Sequence, residues 1–176
     1  MAGPQIVPDA PTTTLILGGA RSGKSRYAEA LVTQHPAPWV YVATAEALDD
    51  EMRARIAQHQ AARKPGWRTI EAPTALADAL DQEAARPLLV ECLTLWLSNL
   101  MLGGHDIGAA TAALEAALAR RRQPTVLVSN EVGLGIVPET QLGRVFRDEA
   151  GRLNQLMAAR ADHVAFMVAG LPMTLK

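Results

Sequence analysis

The sequence predicts an α/β fold, a mainly parallel sheet flanked by helices, and three observations carry that expectation. Short apolar runs alternate along the chain with longer stretches of helical periodicity, the pattern of parallel strands joined by crossover helices. Two of the runs, Pro87 to Glu91 and Pro124 to Ser129, are apolar almost without interruption, as strands covered on both faces are. The first run, Leu15 to Leu17, leads into Gly18-Gly19-Ala20-Arg21-Ser22-Gly23-Lys24-Ser25, which fits G-x-x-x-x-G-K-[ST] at every fixed position. A phosphate loop at a first strand-helix turn narrows the fold to the P-loop NTPases.

Each residue type in that loop has a physical reason. Glycines let the backbone turn tightly and bring its N–H groups against phosphate oxygens. A helix beginning near Lys24 adds the positive end of its dipole. Lys24 would reach the terminal phosphates, and the Ser25 hydroxyl would ligate Mg²⁺. The alternative is an ordinary glycine-rich turn of an α/β protein. Four fixed positions in the right context favour a nucleoside triphosphate site.

At 176 residues the chain suits one domain, assigned to 12–176, with 1–11 as a flexible extension containing Pro4, Pro8 and Pro11. That extension lacks the charged and apolar regions of a signal peptide. No run approaches the length of a membrane span, so a cytoplasmic protein is expected. A net charge of −1 and an aromatic content of 4% argue against nucleic-acid binding by bulk charge or base stacking. The single cysteine, Cys92, excludes an internal disulfide and reads as a small buried hydrophobe.

In chain order, Arg26 to Gln34 is expected to be helical and to stop at His35-Pro36-Ala37-Pro38. Trp39 to Ala43 reads as a strand, which places Thr44 and Ala45 at its C-terminal end, where open parallel sheets bind ligands. Leu48 to Arg63 reads as a helix with Leu48, Met52 and Ile56 on one face and His59 and Arg63 close to the same stripe. Pro65-Gly66 ends it. Trp67 to Glu71 is a short strand and Thr74 to Ala85 an amphipathic helix. The run ending in Glu91 is a candidate Mg²⁺-side element, its alternative being a strand-terminal acid that faces solvent. Leu93 to Leu102 and Ala109 to Arg122 follow as helices. The closing Arg120-Arg121-Arg122 reads as a solvated helix end, where cations suit the dipole. After Ser129, the segment Asn130 to Pro138 reads as a structured loop over a ligand. Glu139 to Ala161 is a long helix, Asp162 to Val168 a core strand and Pro172 to Lys176 a tail strand.

Among the four histidines, His59 alone has a patterned basic neighbourhood, Arg55 and Arg63 lying one turn away on either side. Neighbouring cations favour the neutral, nucleophilic imidazole and can pair with phosphate oxygens. On composition alone, a structural histidine on a helix is the commoner explanation. A kinase without a histidine step, or a motor-type P-loop module acting on nucleic acid, would keep the loop and leave His59 structural.

Longer blocks add a resemblance. Gly18 to Arg26, Tyr41 to Ala45, Asp50-Glu51-Met52, Arg55-Ile56, His59, Arg63 and Trp67 to Glu71 resemble the bifunctional adenosylcobinamide kinase/adenosylcobinamide-phosphate guanylyltransferase family. So do Val90 to Thr94, Ser129 to Pro138, Phe146-Arg147-Asp148 and Gly151 to Gln155. The resemblance implies phosphorylation of adenosylcobinamide by ATP or GTP. Transfer of GMP from GTP to adenosylcobinamide phosphate follows, through a guanylylated histidine that falls on His59. It also implies guanine-nucleotide contacts at Ala43, Thr44, Ala45, Gln60, Ala61, Ala62, Arg63, Glu71 and Glu91, beside the Mg²⁺ that the residues themselves assign to Ser25 and Glu91. A homotrimer with a RecA-like sheet that includes one antiparallel strand completes the expectation.

Overall fold

A computed structural model describes residues 12–45 and 65–176. The expected extension at 1–11, the expected helix at 48–63 and the residues Gln60 to Arg63 lie outside the described residues.

Seven strands form one sheet: β1 (Thr13–Gly18), β2 (Trp39–Ala43), β3 (Trp67–Glu71), β4 (Leu88–Glu91), β5 (Thr125–Asn130), β6 (His163–Val168) and β7 (Leu171–Thr174). Their order is β3-β2-β4-β5-β1-β6-β7, and every neighbouring pair is parallel except β6 with β7. Among the described residues the helices are α1 (Lys24–Val32), α2 (Leu76–Gln82), α3 (Leu93–Leu102), α4 (Ile107–Arg120) and α5 (Gln141–Arg160).

Side chains in a strand alternate between faces, and the central strands are apolar on both. Leu15, Leu17, Val40, Val42, Leu88, Val90 and Leu127 pack with residues of α2, α3, α4 and α5, including Leu80, Trp96, Leu97, Leu114 and Met157. Ile16, Tyr41, Leu89, Val126 and Val128 point the other way, against Ala28, Leu31 and Val32 of α1. This two-sided burial forces the parallel strands to be near-continuous apolar runs.

Most helix limits differ from expectation by a residue or two, for identifiable reasons. The Asp106 carboxylate accepts from Ala109 N at 2.9 Å and so starts α4 at Ile107 rather than Ala109. That helix stops at Arg120 because Arg121 is extended, with φ −60° and ψ 139°. Arg121 also corrects the solvated reading of the three arginines. It is buried, and its guanidinium donates to Thr125 Oγ1 and to the carbonyls of Leu80, Glu83 and Arg86. The tail strand starts at Leu171, one residue earlier than expected. A two-residue turn, Ala169 and Gly170, has φ of 51° and 83° and reverses β6 tightly into β7.

Candidate active site

Parallel pairing collects the chemistry-bearing residues at one edge of the sheet. Gly18 lies level with Asn130 of β5 and Met167 of β6, while Ala43 lies level with Glu71 and Glu91. All of these are at strand C-termini, the edge where open α/β sheets bind ligands.

The phosphate loop is held on both flanks. Glu131 N donates to Gly18 O at 3.1 Å, and Gly170 N to Ser22 O at 3.0 Å. Only glycine fits the first position: a Cβ on Gly18 would meet Met167 O at 2.7 Å and Ser22 Oγ at 2.8 Å, and φ is +147°. Gly23, at φ 98°, caps α1 without a side chain, which leaves the helix's first N–H groups free of a competing acceptor there. Gly19, Ala20 and Arg21 are exposed on the loop's outer arc.

Lys24 is buried, and its Nζ donates to Gly19 O at 2.6 Å, closing the loop on itself. Burial lowers its pKa, against the opposing fields of Glu91 and Cys92. Ser25 Oγ donates to Glu91 Oε1 at 2.8 Å. A hydroxyl and a carboxylate side by side are the hard oxygen donors that suit a nucleotide-bound Mg²⁺, which draws few protein ligands and takes the rest from phosphate and water. Among the described residues no group of three or more His, Cys, Asp or Glu side chains could hold a metal by itself.

Thr44 is fully buried and tied into the end of β4. Its hydroxyl accepts from Cys92 N at 2.7 Å and points its proton at the carbonyls of Cys92 and Glu91, 2.8 and 3.0 Å away. The Thr44 side chain is therefore directed inward, fixing the Glu91 backbone. Asn99 of α3 adds a second clamp, donating to Thr44 O at 2.7 Å and Pro73 O at 3.0 Å. It thereby joins the exits of β2 and β3. Glu71 is exposed on edge strand β3, with β2 between it and Glu91. Cys92 caps α3, accepting from Leu95 N at 3.5 Å. Burial and then the Glu91 charge push its thiol pKa up, so it is the inert hydrophobe that the sequence suggested.

Sequence reasoning assigned no role to Asn99 or to a polar chain behind the loop. Thr94 Oγ1 and Ser129 Oγ lie 3.2 Å apart, and Ser129 Oγ donates to Asn154 Oδ1 at 2.7 Å. Asn130 N donates to Thr94 Oγ1, and Asn154 Nδ2 to Asn130 O, so the residue preceding Glu131 is gripped from both sides. The available signals were a serine closing a buried strand and an asparagine interrupting the apolar face of a helix.

Known proteins share this chain's sequence and fold. The family described as cobinamide kinase / cobinamide phosphate guanyltransferase matches residues 14–175. The bifunctional adenosylcobalamin biosynthesis protein CobP of Pseudomonas aeruginosa is 52% identical over 166 residues, covering 92% of this chain and 96% of that protein. The corresponding CobU protein of Salmonella typhimurium is 44% identical over 179 residues, 92% of this chain and 98% of its own length. Among solved structures, the flagellar accessory protein FlaH of Methanocaldococcus jannaschii superposes with a TM-score of 0.51. At 14% identity over 95% of this chain and 79% of that one, this is a likeness of fold.

Proposed function

This chain belongs to the cobinamide kinase / cobinamide phosphate guanyltransferase family, an enzyme of cobalamin biosynthesis, and we propose that both of its reactions run at the sheet edge where β1 and β4 end. The contact between Ser25 and Glu91, beside the buried Lys24, carries this reading, because it joins the two elements that a phosphoryl-transfer site requires. Mg²⁺ bound there would neutralise developing charge on the phosphates.

In the kinase reaction, the hydroxyl of adenosylcobinamide attacks the γ-phosphorus of ATP or GTP. The bond from that phosphorus to the β–γ bridging oxygen breaks, the nucleoside diphosphate leaves and the hydroxyl proton is lost to solvent. Lys24, turned away from Gly19 O, and the N–H groups of Gly19 to Ser25 hold the phosphate oxygens throughout. In the transferase reaction, the neutral His59 imidazole attacks the α-phosphorus of GTP and pyrophosphate leaves. An oxygen of adenosylcobinamide phosphate then attacks the phosphoramidate, the N–P bond breaks and adenosylcobinamide-GDP is released. Dividing the transfer gives each step a competent nucleophile and leaving group. Arg63 and the adjoining Gln60 to Ala62 would steady the nucleotide around His59, with Ala43 to Ala45, Glu71 and Glu91 on the sheet side. A homotrimer in the cytoplasm belongs to the same proposal and rests on the family resemblance. Among the described residues, no helix is long and apolar enough to cross a membrane.

The relatives at 42–52% identity are named as bifunctional proteins, so a kinase alone is not favoured. Incubation with α-labelled GTP tests the histidine step. Acid-labile, base-stable label should appear on the wild-type protein and vanish in His59→Ala, while ATP-dependent phosphorylation of cobinamide continues. Label that survives in His59→Ala removes His59 from the mechanism.

A further inference from the structure

The loop between β5 and α5 presents apolar side chains to solvent from a backbone that is held at both ends. Leu134 is 82% exposed, Ile136 97% and Val137 59%. At the near end, Glu131 N is bonded to Gly18 O at 3.1 Å, and the Glu131 carboxylate accepts from Gly133 N at 2.6 Å. At the far end, the Arg144 guanidinium donates to Pro138 O at 3.1 Å and Glu139 O at 2.7 Å. These side chains are therefore held out by a supported loop. Grouped apolar exposure of this kind marks a surface that something covers.

We propose that this loop seats the corrin ring of the cobinamide substrate, with Leu134, Ile136 and Val137 against its methyl-bearing edge. The proposal rests on the family's substrate and deepens it by giving the macrocycle a place. Two arguments favour this occupant. The first is continuity: the loop's root is hydrogen-bonded to Gly18, the first residue of the phosphate loop. A ligand seated on the loop therefore lies on the segment that leaves the same sheet edge as the phosphate loop. The second is chemistry: a corrin edge alternates methyl groups with primary amides, and so suits apolar side chains separated by unshielded peptide groups. Gly135, between Leu134 and Ile136, supplies such a stretch, since a Cβ there would meet no atom within 4 Å. A second copy of the chain is the competing occupant, and assembly size is therefore read alongside affinity.

The test compares the wild-type protein with the double variant Leu134→Ser/Ile136→Ser. Cobinamide binding is measured by equilibrium dialysis, fold by circular dichroism and assembly size by sedimentation. The expected result is affinity weakened by at least roughly tenfold, with spectrum and size unchanged. Unchanged affinity in the variant overturns the proposal. A change in assembly size also overturns it and assigns the loop to a copy-to-copy contact. Failure of the wild-type protein to bind cobinamide overturns the substrate reading as well, which separates that failure from loss of the docking site alone.

Discussion

The Ser25 hydroxyl donates to Glu91 Oε1 at 2.8 Å, although 66 positions separate the two residues and β5 lies between their strands. Helix α1 makes the contact by running from the end of β1 beneath β5 and β4, which sets its first turn against the end of β4. Glu91→Gln keeps an acceptor oxygen for Ser25 and removes only the charge. Its expected effect is a fall in nucleotide turnover of about a hundredfold or more, roughly 3 kcal/mol of transition-state stabilisation. Ser25→Ala should lose a comparable amount. Steady-state assays at saturating Mg²⁺ check this, with circular dichroism as the control for fold. Turnover within a few-fold of wild type would remove Glu91 from the metal side of the site.

Lys24 ties nucleotide binding to pH. Burial holds its pKa below 10.5, so between that depressed value and 10.5 the unfolded chain carries more protons than the folded one. Stability therefore rises with pH across that alkaline window. Phosphate oxygens beside the ammonium act in the opposite direction and raise the pKa. GTP binding in the window should consequently take up a proton. Titration calorimetry in two buffers of different ionisation heat should show unequal heats for the wild-type protein. Lys24→Arg should give equal heats, since its guanidinium stays protonated. Equal heats for the wild-type protein at alkaline pH would contradict the assignment.

Behind the loop, hydrogen-bond direction makes Ser129 the residue on which the polar chain depends. Its hydroxyl gives its proton to Asn154 Oδ1, so the 3.2 Å contact with Thr94 must be donated by Thr94. Ser129→Ala removes the bond each buried partner makes to the serine, leaves Asn154 Oδ1 without its donor and should destabilise the fold by about 1–3 kcal/mol. Adding Asn154→Ala should cost less than the two single changes summed, because the substitutions remove one shared bond. Urea unfolding of the double-mutant cycle measures this. Strict additivity would mean that the chain does not act as a unit.

Much of the fold was legible in the sequence because parallel strands and the phosphate loop both leave local signatures. Leu88 to Val90 and Val126 to Val128 are apolar since both sheet faces are covered, and Gly18 to Ser25 has its spacing because phosphate needs a tight turn of N–H groups. Glu91 was legible as a candidate Mg²⁺-side acid because it closes a buried apolar run, but its contact with Ser25 required the strand order. Asn99 was not legible at all. Its amide joins Thr44 O to Pro73 O, and no one-dimensional pattern records carbonyls that converge from two strands. Thr44 and Ala45 were singled out for their position after β2, and Ala43, its last residue, through the family resemblance. The inward turn of the Thr44 hydroxyl depends on Cys92, 48 residues away.

Three consecutive arginines show where that limit lies. Arg120 is exposed and paired with Asp81 at 2.6 Å, a surface contact that solvent screens. Arg122 is exposed as well. Arg121 stands between them with four donated bonds, and burial brings its pKa down to about 10, against the raising fields of Glu83 and Asp81. It remains charged at neutral pH and satisfies three carbonyls around the end of α2, joining that turn to the start of β5 through Thr125. Arg121→Ala strips those acceptors at once and should cost about 3–5 kcal/mol, whereas Arg120→Ala and Arg122→Ala should each unfold close to the wild-type midpoint. Arg121→Lys should recover little, because an ammonium on a flexible stem cannot reach acceptors arrayed for a planar fork. Urea unfolding midpoints at neutral pH rank the four variants. Equal midpoints for Arg121→Ala and Arg120→Ala would show that the buried guanidinium contributes no more than a surface ion pair.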